Sequence, residues 1–317
     1  MSARPLRIGT RASALALWQA QHVQALLAAQ PRAPQLELVH IRTSGDQQTQ
    51  VPLWQAGGRA FFTREIDRAL LEGTVDVAVH SLKDLATELE PGVTLAATLA
   101  RADARDVLLT RDGTGLLQLP AGARVGTSSL RRRAFLRRAR PDLEHLELRG
   151  NVPTRIERLR AGDYDAIILA AAGVVRLGLT AQVSEYLAPE LFAPAVSQGV
   201  IGVCARSADA ATLKWLLPLD DREARLAVSA ERALLRHIEG GCQVPLGALA
   251  TVTERLLRLQ ASVCSLDGTR ELRAQGSAPA SIPDAIALGE RVAAELLARG
   301  AQQLIAQERG RLAVPAP

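Results

Sequence analysis

Arg7-Ile8-Gly9-Thr10-Arg11-Ala12-Ser13 returns later in the chain as Arg124-Val125-Gly126-Thr127-Ser128-Ser129-Leu130. Each copy reads as a short strand, a Gly-Thr turn and a helix start capped by hydroxyls. The helices expected to follow run from Ala14 to Ala28 and from Leu130 to Ala139. A second echo pairs Leu70-Leu71-Glu72-Gly73-Thr74-Val75-Asp76-Val77 with Leu159-Arg160-Ala161-Gly162-Asp163-Tyr164-Asp165-Ala166. In both, a helix ends at glycine and a buried strand begins after an aspartate. Strands alternating with helices imply parallel α/β sheets, so the repeat predicts two α/β lobes with a cleft between them. Open α/β sheets bind ligands at the carboxyl ends of their strands. Both Gly-Thr turns belong there, as do His80-Ser81-Leu82-Lys83-Asp84 and Ala172-Gly173-Val174-Val175-Arg176.

Outside the repeat the pattern changes twice. Between Thr43 and Gly58, polar residues precede Gly57-Gly58, which fits either a lid or an ordinary surface loop. After Pro218, Asp220 and Glu223 have capping-box spacing and open a helix running to Ile238. That helix leads into Glu239-Gly240-Gly241-Cys242-Gln243-Val244-Pro245, which holds a thiol out on a glycine stalk. Leu256 to Val263 reads as a strand with its turn at Asp267-Gly268, and Asp284 to Ala306 as an amphipathic helix. The remainder, Glu308 to Pro317, is expected to fray.

The 317 residues and 48% hydrophobic share suffice for two or three domains. Cys204, Cys242 and Cys264 are odd in number and lie far apart, which argues against a disulfide framework or a zinc site. His22, His40, His80, His145 and His237 have no ligand-like spacing, so no metal is expected. The N-terminal stretch does not read as a secretory signal, and no apolar run approaches membrane-spanning length. The expectation is a soluble cytoplasmic protein, monomeric by default. The net charge of +5 permits an anionic partner, while an aromatic share of 3% argues against stacking on single-stranded nucleic acid.

Lys83 and Lys214 are the only lysines in an arginine-rich chain, so Lys83 beside Asp84 stands out as an acid–base candidate. The strongest charged constellation is Thr127-Ser128-Ser129-Leu130-Arg131-Arg132-Arg133, where basic residues occupy a first helical turn unfavourable to them unless an anion compensates. Arg137, Arg138 and Arg140 read as a solvated helix face. Arg11, Arg149, Arg155 and Arg176 lie at turns facing the same cleft. Together they predict a ligand with many negative charges, phosphates or several carboxylates. Neither GxxxxGK[ST] nor GxGxxG is present to favour a nucleotide.

Taken in order, Gly9-Thr10-Arg11-Ala12-Ser13, Val79-His80-Ser81-Leu82-Lys83-Asp84, Val125 to Arg132, Leu148 to Arg155 and the Cys242 loop resemble the porphobilinogen deaminase, or hydroxymethylbilane synthase, family. The resemblance spans nearly the whole chain. It implies two lobes resembling type II periplasmic binding proteins, each a mostly parallel sheet with helices, plus a small C-terminal α+β domain. Residues 1–99 and 200–218 would form the first lobe, 100–199 the second, and 219–317 the domain with the cysteine loop. The implied activity is that of a transferase of haem biosynthesis. It joins four porphobilinogen units head to tail into hydroxymethylbilane and releases ammonia each time.

The same resemblance implies a dipyrromethane cofactor held by a thioether at Cys242, with Asp84 as the catalytic residue. Lys83, Thr127, Ser129, Arg131, Arg132, Arg155 and Gly241 would bind the cofactor. Arg11, Ser13, Gln19, Arg149, Arg155, Arg176 and Gln198 would bind substrate, and Gly57, Gly58 and Arg59 would belong to a lid. Each pyrrole carries an acetate and a propionate, which accounts for the arginines. The sequence departs from the family pattern at Gly58-Arg59-Ala60, where glycine-lysine-glycine is usual. Ser197 stands at a common glycine, and Ala14 and Ala86 stand where prolines are frequent. Two rival readings are a non-catalytic two-lobed anion-binding protein and a nucleic-acid binder using Arg131 to Arg140. The first explains neither the third domain nor Cys242, and the second predicts salt-sensitive duplex binding and leaves Lys83-Asp84 unused.

Overall fold

The computed structural model describes residues 4–43, 63–238 and 245–313, with side chains through 308. The repeat becomes two five-stranded sheets of matching order. The first runs β2 (Leu36–His40), β1 (Leu6–Thr10), β3 (Val77–Ser81), β10 (Ile201–Arg206), β4 (Val93–Thr98). The second runs β7 (Glu144–Leu146), β6 (Arg124–Gly126), β8 (Ala166–Ala170), β5 (Asp106–Thr110), β9 (Glu185–Leu187).

The sheets are mixed, each with two parallel and two antiparallel pairings. β1 pairs in parallel with β2 and β3, and β6 with β7 and β8. β10 is antiparallel to both its neighbours, and so is β5. Each of these two strands follows a segment that crosses from the other sheet, so it enters from the opposite end. Sheet continuity therefore depends on both crossings, residues 99–105 and 195–200.

The two predicted helices appear at the expected bounds. α1 (Ala14–Ala28) starts at Ser13, whose side chain accepts a hydrogen bond from the Ala16 amide. It buries Ala20, Val23 and Leu27 against Ile8, Val77 and Val203. The second glycine-ended helix of the repeat has its counterpart in α2 (Arg64–Leu71), which buries Ile66 and Leu70. α3 (Leu130–Ala139) starts at Ser129, which accepts from the Arg132 amide. α4 (Val152–Arg160) is capped by Asn151, and α5 (Ala171–Arg176) follows β8 directly. α6 (Ala210–Leu216) lies against the first sheet.

The third unit is an antiparallel sheet of β11 (Leu246–Thr253), β12 (Leu256–Cys264) and β13 (Glu271–Pro279). α7 (Arg222–His237) and α8 (Ile282–Ala298) cover one face and share a core of Leu234, Leu259, Leu288 and Val292. Three local expectations change here. α7 is capped by Asp221, which accepts from the Ala224 amide at 2.8 Å, and not by Asp220. Asp220 instead accepts from the amide and hydroxyl of Thr98, at 2.7 and 2.9 Å, and pairs with Arg225. The long C-terminal helix breaks at Gly300, whose φ of +94° ends α8, and restarts as α9 (Ala301–Ala313). Helix thus continues through much of the segment expected to fray, with Glu308 buried.

Glu231 of α7 ties the three units together. Its fully buried carboxylate takes Arg101 at 2.6 Å and the amides of Ser197 and Ala250 at 2.6 and 2.7 Å. Arg101 and Ser197 belong to the two crossings, and Ala250 to the third sheet. Cys264 and Leu266 pack into the core of the second lobe with Phe135 and Phe192. Arg138, expected to be solvated, instead pairs with Glu271 of β13 at 2.5 Å. Arg140 donates to the carbonyls of Leu116 and Leu119.

Candidate active site

The chemistry-bearing side chains gather at the carboxyl ends of β1, β3, β6 and β8. After β3 the chain makes a single tight 3-10 turn, Leu82–Asp84, with Leu82 driven into the core. That anchors Lys83 and Asp84 at the strand end. Asp84 is half-buried, and its carboxylate makes no hydrogen bond or ion pair with any described residue. Its charge is nevertheless felt by Lys83 and Arg155.

Across from it, α3 presents Arg131 and Arg132, both nearly buried at 5% and 6% exposure. Their counter-charge is Asp106, the first residue of β5, with no exposed surface. Arg132 Nη2 donates to Asp106 Oδ1 at 2.8 Å, and its Nη1 donates to the Ile168 carbonyl at 3.0 Å. Arg131 Nη1 lies 2.8 Å from Asp106 Oδ2, a contact made by charge, and its aligned hydrogen bond goes to the Ala193 carbonyl at 2.6 Å. Burial alone would push the Asp106 carboxyl up, but the two guanidiniums outweigh it and hold it well below the ordinary range.

Gln198, on the returning crossing, bridges the lobes. Its Nε2 donates to Asp106 Oδ1 at 2.9 Å and to the Ala104 carbonyl at 2.7 Å. Its Oε1 accepts from Lys83 Nζ at 3.3 Å. Burial lowers the Lys83 ammonium to about 8, despite the attraction of Asp84. Arg155 donates from Nε to the Gly150 carbonyl at 2.7 Å. Burial, with Arg132 and Arg149 as like charges nearby, brings it down to about 10. Lys83, Arg131, Arg132 and Arg155 thus outnumber Asp84 and Asp106, and the site carries surplus positive charge beside one uncommitted carboxylate.

The remaining predicted residues surround this centre. Arg176 donates to the Gly199 carbonyl at 2.7 Å and lies over the Trp18 ring at 5.7 Å, with burial lowering it to about 10. Arg149 is half-buried and its ionisation is likewise lowered by burial. Arg11 is half-buried just past β1, and its charge reaches His80. Gln19 is buried and joins α1 to the end of β3 through Ser81, at 2.8 Å. The oxygens of Ser13, Ser129 and Thr127 accept backbone amides, the last from Ser129 at 3.3 Å. Their hydroxyl protons remain available as donors. Cys242, Gly241, Gly57, Gly58 and Arg59 lie outside the described residues. Cys204 and Cys264 are buried, with burial pushing their thiols up to about 12, as core cysteines should be. Sequence reasoning missed Asp106; the available signal was a carboxylate opening the otherwise apolar strand Asp106-Val107-Leu108-Leu109.

Residues 6–214 match the family model for the porphobilinogen deaminase dipyrromethane cofactor binding domain, and residues 225–298 match that for the porphobilinogen deaminase C-terminal domain. The chain belongs to the porphobilinogen deaminase family. A porphobilinogen deaminase of Syntrophotalea carbinolica is 47% identical over 306 residues, covering 96% of either chain. One of Roseiflexus castenholzii is 50% identical over 301 residues, covering 95% of this chain and 98% of the relative. Among solved structures, a nutrient binding protein from Burkholderia cenocepacia bound to methionine aligns with 67% of this chain and 90% of its own. The TM-score is 0.43 and the identity 14%. Family membership gives the surplus charge a ligand chemistry, because the family model covering both lobes is described by its cofactor. The donor set fits such a group: Arg132 Nε is buried without a hydrogen-bond partner among the described residues, at the base of a fork whose other nitrogens are fixed.

Proposed function

We propose that this porphobilinogen deaminase family member joins four porphobilinogen units head to tail into hydroxymethylbilane, at one centre built around Asp84. The observation that carries the reading is an uncommitted carboxylate set among cations fixed by the fold. A carboxylate paired to a neighbour would already be neutralised. An unpaired one in a partly dry site attracts developing positive charge strongly. Loss of ammonia from an aminomethylpyrrole leaves a cation delocalised onto the ring nitrogen. Asp84 would hold the pyrrole N–H and stabilise that charge, an interaction stronger in the transition state than in the ground state.

Lys83, Thr127, Ser129, Arg131, Arg132 and Arg155 would hold the carboxylates of a dipyrromethane. Arg11, Ser13, Arg149 and Arg176 would hold those of incoming units, with Gln19 and Gln198 supporting the floor. When bound, the dipyrromethane supplies the nucleophilic pyrrole carbon to which the first unit is joined. Cys242 would be its thioether anchor, and Gly241 would leave room for it. A thioether resists hydrolysis, so an anchor of this kind survives while chain bonds are cut. Gly57, Gly58 and Arg59 would cover the cleft. The working units would be 1–99 with 200–218, 100–199 and 219–317, acting as a cytoplasmic monomer.

The direct test is incubation with porphobilinogen. The reading predicts one ammonia per unit consumed and one linear tetrapyrrole per four. Consumption without ammonia would overturn it, and binding without consumption would overturn it in favour of an anion-binding protein.

A further inference from the structure

We propose that Asp106 is a positioning residue of the reaction, gripping Arg131 and Arg132 directly and Lys83 through Gln198. This rests on the reading of those cations as carboxylate holders.

Three observations carry it. First, Asp106 is fully buried, yet both of its oxygens face guanidiniums of consecutive residues. One carboxylate thus meets both Arg131 and Arg132 at the start of β5. Second, each guanidinium is also fixed by a backbone carbonyl, Ala193 for Arg131 and Ile168 for Arg132. Charge from one side and a rigid acceptor from the other define each fork's plane, leaving Arg132 Nε without a partner among the described residues. Third, Gln198 accepts from Lys83 and donates to Asp106, so the chain of contacts crosses from the turn beside Asp84 to the second lobe. The amide of Gln198 is oriented by this chain: its nitrogen must face the carboxylate and its oxygen the ammonium.

Charge balance alone does not require this arrangement. A carboxylate anywhere near α3 would neutralise one arginine. Placing it under both forks, with an amide linking it to Lys83, fixes directions as well as charge. Long cationic side chains otherwise adopt many rotamers, and ordering them on binding costs affinity. A grip formed during folding removes that cost before the ligand arrives.

The experiment compares the unaltered protein with Asp106→Glu and Asp106→Asn, all made with porphobilinogen available. Asp106→Glu keeps the charge and moves the carboxylate by one methylene. It separates position from charge even if Asp106→Asn, with two buried guanidiniums uncompensated, does not fold. Intact mass reads the fraction carrying two linked pyrroles. Arginine-labelled ¹⁵N spectra read guanidinium N–H protection, and ammonia release is measured per loaded molecule. The expected result for Asp106→Glu is a folded protein with a reduced loaded fraction and altered guanidinium signals. Its rate should be lower by on the order of 100-fold, as expected for a misplacement of about an ångström. Wild-type loading, signals and rate in Asp106→Glu would overturn the proposal and reduce Asp106 to charge balance. If the unaltered protein carries no added mass, the cofactor reading fails separately, and the guanidinium signals still report whether Asp106 grips both arginines.

Discussion

At the scale of single residues, charge and burial make sharp predictions. Asp84→Asn preserves shape and removes the charge, so ammonia release should fall by on the order of 100-fold or more, while the fraction carrying cofactor mass stays high. Near-normal release would remove Asp84 from its role. Lys83 titrates near 8 in the folded protein against 10.5 as its ordinary value. Its charge is therefore present below about pH 8 and lost above it, and carboxylate holding should weaken through that point. Across the window from about 8 to 10.5 the unfolded chain binds more protons, so this group makes stability rise with pH. A rate profile that falls near pH 8, and no longer does so in Lys83→Arg, is the expected outcome; identical profiles would sink it. Ser197 illustrates what one sequence conceals and then explains. It departs from a common glycine, and it sits at a φ of +64° with its hydroxyl buried and without a partner among the described residues. Ser197→Gly should raise stability by about 1–2 kcal/mol in a denaturant titration, since left-handed backbone costs about that much for a non-glycine residue. The departure was legible in the chain, whereas the strain depends on the crossing it occupies.

At the scale of elements, local chemistry fixed more than long-range pairing did. α1 and α3 begin where Ser13 and Ser129 predict, because a hydroxyl cap acts within three residues. The antiparallel course of β5 and β10 has no local signal, because strand polarity depends on where the chain re-enters a sheet. The capping box at Asp220 failed for a similar reason. Two adjacent aspartates compete for one cap, and Thr98, distant in sequence, draws Asp220 away. Asp221→Ala should therefore destabilise by about 1 kcal/mol through the lost cap. Asp220→Ala should loosen the joint between β4 and α7 and change the contact with Arg225. If removing Asp220 alone frays the start of α7 in amide exchange, the assignment of the cap is wrong. Asp106 escaped notice on the same grounds: a lone carboxylate at a strand start carries no local signature, and its meaning comes from α3 and Gln198.

At the scale of the whole molecule, the two lobes and the third unit meet at Glu231. Glu231→Gln leaves the part-buried Arg101 without its fully buried counter-charge and should cost about 3 kcal/mol. The loss should appear as a lowered unfolding midpoint, with both crossings exchanging amides faster. The lobes themselves were legible because their building unit repeats, and the cationic cleft because arginines stood at strand ends. The junction was not legible, since Arg101, Ser197, Glu231 and Ala250 share no motif and meet only in three dimensions. The proposed function concerns Cys242, four residues beyond Ile238 in sequence, while Glu231 and Arg232 hold the second half of α7, the latter on the carbonyls of Leu85 and Ala86. On the proposed function, chemistry occurs at Asp84 on a chain tethered at Cys242. The most direct measurement is the intact mass of the purified protein, made with porphobilinogen available, beside Cys242→Ala. The account predicts an excess equal to two linked pyrroles that disappears in the variant. An unmodified mass, or an excess that survives in Cys242→Ala, would contradict it.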